Sequence, residues 1–409
     1  MRSVDEHLAA ILDGVHPLTE LDLTLLDAQG CVLAEDVVAP SPLPPFDNAA
    51  VDGYAVRLAD AADASASRPI TLPVVGDVGA GSTSAYSVQS GFTVRMAAGA
   101  PVPAGAEAVV PLGWTDGGIA HVRIDRAPQS GESIRRAGED VAAGEMVLQM
   151  GTHLGSQQVG MLAAVGRGRV RARPRPRVVV VAIGEQYADT GTPPAAGQQH
   201  DASTPALTAA AIESGAIAYR VGVVPEDPQT LLGLLEDQLI RADAVVACGG
   251  GAESGAGALA ETLGRLGTVH VDRVAMHPGG VQGFGVIGPD NTPIFTVPGD
   301  PVAAYISFEV FVRPALRRMI GVEAVHRPLV RATASSAIRG GVGARCYGPS
   351  RLEVKQGAYV VSPAATSGRT GEHISALARA NSLVIVPEAA GEVPRGEAAT
   401  VLMLERRHG

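Results

Sequence analysis

The chain has 409 residues, with 46% hydrophobic and only 3% aromatic side chains. That length exceeds one core and suits two to four domains built mainly from Ala, Val, Leu and Ile. A net charge of −10 argues against general nucleic-acid binding, and no apolar run approaches the length of a membrane span.

Three cysteines, Cys31, Cys248 and Cys346, lie far apart without zinc-type or disulfide-framework spacing. MRSVDEHLAAIL lacks an apolar signal core, so a reduced, cytoplasmic protein is expected. Lys355 is the single lysine among 32 basic residues, a bias we attribute to codon usage.

Ser3-Val4-Asp5-Glu6 is a capping box before a helix that carries Leu8, Ile11 and Leu12 and ends at His16-Pro17. Residues 19 to 39 predict a short helix and then a strand. Pro40 to Pro45 is a stiff connector. PPFDNAAVDGYAVR (44 to 57) then places Asp47 and Asp52 in a turn-rich segment leading into a strand. Such an acidic loop can hold a divalent cation through oxygen ligands, or it is a turn closed by Asx bonds. Residues 54 to 140 alternate short β-like runs with turns, and 141 to 166 return to strand and helix. RGRVRARPRPR (167 to 177) is either a phosphate-binding arm or, as we favour, an extended connector with solvated arginines.

A βα series follows. VVVVAI is a buried strand; Thr204-Pro205 and Asp227-Pro228 start helices; ADAVVAC is a strand before Gly249-Gly250-Gly251; and IFTV leads through PGDP into a helix. This alternation predicts a doubly wound sheet, whose ligands bind beyond the carboxyl ends of its strands. The amides of ACGGGAESGAG and VPGDP could cradle a phosphate there, although glycine-rich loops also arise as plain tight turns. Residues 325 to 409 read as a small β domain, with YGPSR (347 to 351) as a surface turn. Trp114, Phe92 and Phe284 are expected in the core or a pocket wall.

Several segments carry a resemblance. PPFDNAAVDGYA resembles the P-F-D-N-S-A-M-D-G-Y-A signature of the molybdopterin molybdenumtransferase family, which includes the gephyrin E domain. GAPVPAGAEAVVP (99 to 111), RRAGEDVAAGEMVL (135 to 148), PGGVQGFG (278 to 285), VPGDPVAAYISFEVF (297 to 311) and ALARANSLVIVPE (376 to 388) resemble further family segments, in order, over nearly the whole chain.

The resemblance implies a multidomain α/β plus β architecture. A discontinuous helical domain would take 1–45 and 141–172, a β-rich domain 46–140, a molybdopterin-binding-like α/β domain 173–322 and a C-terminal β-barrel-like domain 323–409. It implies insertion of molybdate into adenylylated molybdopterin with release of AMP, assisted by magnesium, in a homodimer. Carried over by position, Asp52, Asp140, Asp227 and Arg273 would be catalytic, with Asp52 and Asp227 on the metal. Asn48, Gly249, Gly250, Pro298, Gly299 and Pro301 would line the substrate site.

Other family positions are altered. Ala98 stands for Thr, Gln186 for an acid, Ser203 for Asn, Gly257 for an acid, His277 and Gly280 for lysines, and Asp300 for Asn. Glu185 and Glu253 lie near enough in sequence to compensate. These changes remove cations and acids from one presumed pocket, which keeps two alternatives open. One is a gephyrin-like scaffold binding a tail peptide of a membrane, cytoskeletal or cell-division protein, for example the tubulin-like division GTPase. The other is a pterin-binding chaperone without turnover.

Overall fold

The structure is a computed structural model that describes residues 1–249, 256–365 and 373–404. It divides into two compact units. One comprises Met1–Asp22, Gly30–Ala34 and Arg171–Gly409; the other comprises Leu23–Gln29 and Glu35–Val170.

The first unit opens with α1 (Val4–Gly14), capped as its sequence predicts: Ser3 and Glu6 bond each other's backbone amides. A six-stranded sheet follows, made of β1 (Arg177–Ile183), β2 (Ile217–Val224), β3 (Ala244–Gly249), β4 (Gly267–Arg273), β5 (Val281–Ile287) and β6 (Thr292–Val297). Its spatial order is β2-β1-β3-β6-β5-β4. The first four of these are parallel, while β5 and β4 join antiparallel. The helices are α2 (Ser203–Glu213), α3 (Pro228–Leu239), α4 (Ala256–Leu263), α5 (Pro301–Ser307) and α6 (Arg313–Ile320), the last two joined by a π-helical turn at Phe308–Val312.

Period-two alternation along the strands builds a core on each face. Val178, Val180, Val246 and Phe295 pack with Leu207, Phe308, Phe311 and Ile11. Val179, Val181, Val245 and Ile294 pack with Leu231, Leu235 and Leu263. Helices thus cover both faces, the doubly wound arrangement expected. A second, smaller sheet is built from β7 (Leu329–Ala334), β8 (Arg345–Lys355), β9 (Ala358–Pro363), β10 (Ser382–Val386) and β11 (Ala398–Met403). They pair in the ring β8-β9-β7-β11-β10 and back to β8, so this small barrel is closed.

The second unit holds a five-stranded sheet ordered Ala108–Pro111, Gly53–Val56, Thr93–Met96, Ile70–Val78, His121–Ile124. Ala55, Val94 and Val109 bury one face of it, and Tyr54, Val56 and Val110 the other. Among the described residues no helix is long and apolar enough to cross a membrane.

Four expectations change. No helix forms after residue 19: Leu21–Thr24 is a strand, and the Thr24 hydroxyl bonds Asp27 to close a turn. The competing side-chain bond of Thr and Asp favours the turn over a helix. The arginine-rich run is not merely solvated. Arg173 donates to Leu18 O and Glu20, and Arg175 donates to Gly215 O and Ala216 O just past the end of α2, where carbonyls lack helical partners. YGPSR lies within β8 with Tyr347 and Ser350 buried, because the barrel closes through this segment. Phe92 is exposed, outside any core.

The buried face of α1 presents Val4, His7 and Ile11. His7 meets Phe311 edge-on, with ring centroids 4.9 Å apart, and neither ring nitrogen has a hydrogen-bond partner. Burial pushes its pKa from 6.5 down to about 4; Asp272 opposes this and Arg2 adds to it. The folded protein therefore favours the neutral ring. Stability is whole above pH 6.5 and falls as pH drops from 6.5 towards 4, by up to about 3 kcal/mol from this group. Urea midpoints measured across that window will show this share of the loss in wild type and not in His7→Leu.

Candidate functional site

In the second unit, three of the sequence motifs converge. Asp47 accepts hydrogen bonds from Arg136 Nη1 (2.5 Å) and the Ala137 amide (2.8 Å), which ties the first acidic segment to RRAGED. These bonds hold its carboxyl below the usual range, the amide first and the guanidinium second. The Asp140 amide donates to Leu43 O. Ala49 and Ala100 bridge the segment to GAPVP: Ala49 N donates to Ala100 O, and Gly99 N to Ala49 O.

Asp52 is exposed at the tip, and its Oδ1 accepts the Ala98 amide at 2.7 Å. The Thr-to-Ala change at 98 therefore leaves this bond intact, since the backbone makes it. Gly53 allows close strand approach, and Tyr54, fully buried, donates its hydroxyl to Gly118 O at 2.9 Å. Asn48 is buried, with Nδ2 bonded to Phe46 O and Oδ1 without a partner. Asp140 is exposed.

In the first unit the site forms at the carboxyl ends of β1, β3 and β6. The loop Pro298–Pro301 is held from both sides: Cys248 Sγ donates to Pro298 O (3.2 Å) and Ser203 Oγ to Gly299 O (3.0 Å). Burial pushes the Cys248 thiol up to about 12, so it acts as a hydrogen-bond donor and not as a thiolate. Gly249 closes β3 at φ +100°, and a Cβ there would meet Ile183 O at 2.2 Å. Ser203 opens α2, whose first amides are capped by Asp201 (3.0 Å to Ser203 N and Thr204 N). Arg220 on β2 braces that cap, donating to Asp201 Oδ2 (3.0 Å), Thr204 Oγ1 (2.7 Å) and Asp189.

Pro298 of the same loop borders a cleft of about 390 Å³ lined also by Arg273, Gly280, Gly279, Met276 and Ala344. Arg273, Gly280 and Pro298, far apart in sequence, are thus brought together. His277 is exposed on a short strand beside β8. Gln186 is exposed in the turn after β1, and so is Glu185.

Two of the acids singled out in the sequence cap helices. Asp300 caps α5, accepting the Val302 and Ala303 amides at 3.0 and 2.9 Å. The first amides of the helix after VPGDP are thereby already bonded within the chain, because a short acid before Pro at the first helical position is a strong N-cap. Asp227 likewise caps α3 through Thr230 N (2.8 Å) and Oγ1 (2.7 Å), and these bonds lower its pKa. Gly250 and Glu253 lie outside the described residues. Gly257 falls in the first turn of α4. Asp52 and Asp140 belong to one unit, and Asp227 and Arg273 to the other.

Sequence reasoning missed the roles of Asp201, Arg220 and Cys248. Asp201 had a signal, an acid two residues before a Ser-Thr-Pro helix start. Arg220 and Cys248 sit mid-strand and at a strand end, where only the fold reveals what they reach.

Comparison with known proteins shows the family. Residues 2–166 match the family model for the MoeA N-terminal region (domain I and II), and residues 179–318 match that for a probable molybdopterin binding domain. Molybdopterin molybdenumtransferase 1 of Mycobacterium tuberculosis is 41% identical, covering 100% of both chains. Molybdopterin molybdenumtransferase 2 of the same organism is 37% identical over 97% of this chain and 98% of its own. The crystal structure of the molybdopterin biosynthesis moea protein from Pyrococcus horikosii superposes with a TM-score of 0.78 at 28% identity, over 99% of each chain. The relatives carry transferase names, and the scaffold reading with its peptide tail gains no support from them. Two family models over successive segments, full-length identity at this level and a shared fold lead to one conclusion: the chain belongs to the molybdopterin molybdenumtransferase family of molybdenum cofactor biosynthesis.

Proposed function

We propose that this protein inserts molybdate into adenylylated molybdopterin and releases AMP. The observation that carries the reading is the Pro298–Pro301 loop. It is braced by Cys248 and Ser203 at the strand ends of an open α/β sheet and borders a ligand-sized cleft that contains Arg273. Substrate and transition state are anionic, and a guanidinium in a cleft stabilises such charge by fixed hydrogen-bond donors. The altered positions leave this arrangement standing, since the bonds that hold the loop come from Cys248 and Ser203, the latter at a changed position.

Magnesium belongs to the same proposal. Among the described residues no group of three or more His, Cys, Asp or Glu forms a metal cage. The donor chemistry nonetheless fits a cation held by one or two carboxylates, with substrate phosphates and water as its remaining ligands. Asp52 Oδ1 and Asp227 Oδ2 are each engaged by a backbone amide, so each acid, one in either unit, would offer its other oxygen to a cation. A bound ion would neutralise phosphate charge. Asp140 is proposed as a further acid of the reaction. A homodimer, a cytoplasmic location and the four-domain division complete the proposal; light scattering checks the dimer.

The test is molybdate-dependent AMP release from adenylylated molybdopterin in magnesium. Wild type should turn over, and Arg273→Ala should lose about 100-fold in rate, the scale of removing one electrostatic stabiliser. No AMP release by wild type, with binding retained, would leave a pterin-binding protein without turnover.

A further inference from the structure

Across the sheet, β2 lies on one side of β1 and β3 on the other, so the strand order reverses between β1 and β3. The crevice at such a switch point is where open α/β sheets take their ligands. Here a side chain of the chain's own β1 loop stands at the β3 edge of it and reaches over to the end of β6. Tyr187 is 9% exposed. A Cβ on Gly299 would come 2.1 Å from its hydroxyl oxygen, and one on Gly249 would come 3.3 Å from its ring. The two glycines, one ending β3 and one following β6, together leave the space that the phenol fills.

The backbone beneath the ring is fastened. Tyr187 and Ala188 pair with Gln199 and His200, Gln199 N donates to Gln186 O at 2.9 Å, and Gln198 Nε2 donates to Glu185 O at 2.8 Å. The ring therefore leaves the crevice by rotating its side chain, with the loop in place.

We infer that Tyr187 is a plug in the switch-point crevice, and that the phosphorylated end of the pterin ligand displaces it on binding. The identity of the ligand rests on the proposed function; the plug itself rests on the packing against Gly249 and Gly299. Tyr187 then sets the affinity of the crevice, because only molecules with the phenol swung out are competent to bind. Bonding of the Val302 and Ala303 amides to Asp300 sharpens this requirement, since a ligand cannot rely on that helix start.

Two measurements test the plug. The first titrates molybdopterin into wild type and Tyr187→Ala. If about a tenth of molecules are open, removing the ring tightens binding about tenfold. Weaker binding by Tyr187→Ala would overturn the plug and make the phenol a ligand contact. The second needs no ligand. Gly299→Ala should lower the melting temperature by several degrees in wild type and by close to nothing in the Tyr187→Ala background. An equal loss in both backgrounds would overturn the packing on which the plug rests. If neither form binds molybdopterin, the ligand reading falls, and the glycine pair then decides the plug alone.

Discussion

Glu309→Ala is expected to destabilise the first unit by about 3–5 kcal/mol, the cost of leaving a buried ion without its partner. Glu309 sits on the π-helical turn with its carboxylate fully buried, and Arg327 clamps it with two 2.9 Å bonds. Arg313 approaches the same carboxylate at 3.8 Å, and Arg327 continues to Leu404 O beyond β11. One acid thus serves two guanidinium groups and links the end of the α/β sheet's helices to the barrel. Removing it leaves those charges desolvated. Removing all three charges together should cost far less, so Glu309→Met/Arg313→Met/Arg327→Met is expected much nearer wild type than Glu309→Ala. Urea denaturation of the three proteins separates these outcomes; equal midpoints for Glu309→Ala and wild type would show that the pair carries no strain when broken.

The second large effect lies in the motif that looked most functional. Gly53→Ala would place a Cβ 2.1 Å from Val110 O and 3.0 Å from the Val109 side chain. The nearest obstacle is backbone, which cannot swing aside as a side-chain tip can. The strand Gly53–Val56 is central, paired with Thr93–Met96 on one side and Ala108–Pro111 on the other. Accommodating the methyl means parting a ladder, at a cost of about 4 kcal/mol or more, the range reserved for severe core disruption. We expect the variant to be insoluble or to lose the cooperative unfolding of the second unit by circular dichroism. A folded Gly53→Ala with wild-type melting would contradict the strand pairing.

That result bears on how the D-G-Y-A motif was read. Asp52 is exposed and available for chemistry, whereas Gly53 and Tyr54 serve packing and a hydrogen bond to Gly118. Sequence shows the residues together and cannot separate these roles. The βα alternation after residue 177 was legible because buried Val runs and Asp-Pro or Thr-Pro helix starts are local signals. The residue pattern alone showed the closed barrel only as short strands with turns, since closure depends on β8 pairing with β10 more than thirty residues away, and the barrel form was expected from the family resemblance. The Asp227-Pro228 helix start was legible, whereas the bonds by which Asp227 and Asp300 hold helix amides show only in three dimensions. Tyr187 carried no signal at all: its significance comes from two glycines that are 62 and 112 positions later in the chain.

The first unit is also discontinuous, and that has a consequence in time. His7 and Ile11 on α1 pack against the core that includes Phe311, roughly 300 residues later; at ribosomal rates this is roughly 15–60 s of synthesis. The second unit has all of its chain by residue 170 and can fold within that interval. Its completion brings the flanking segments towards each other, shortening the effective loop that α1 must close. Until β1 through α6 emerge, the apolar stripe of α1 waits uncovered, which makes the nascent chain's opening helix a natural client for a chaperone.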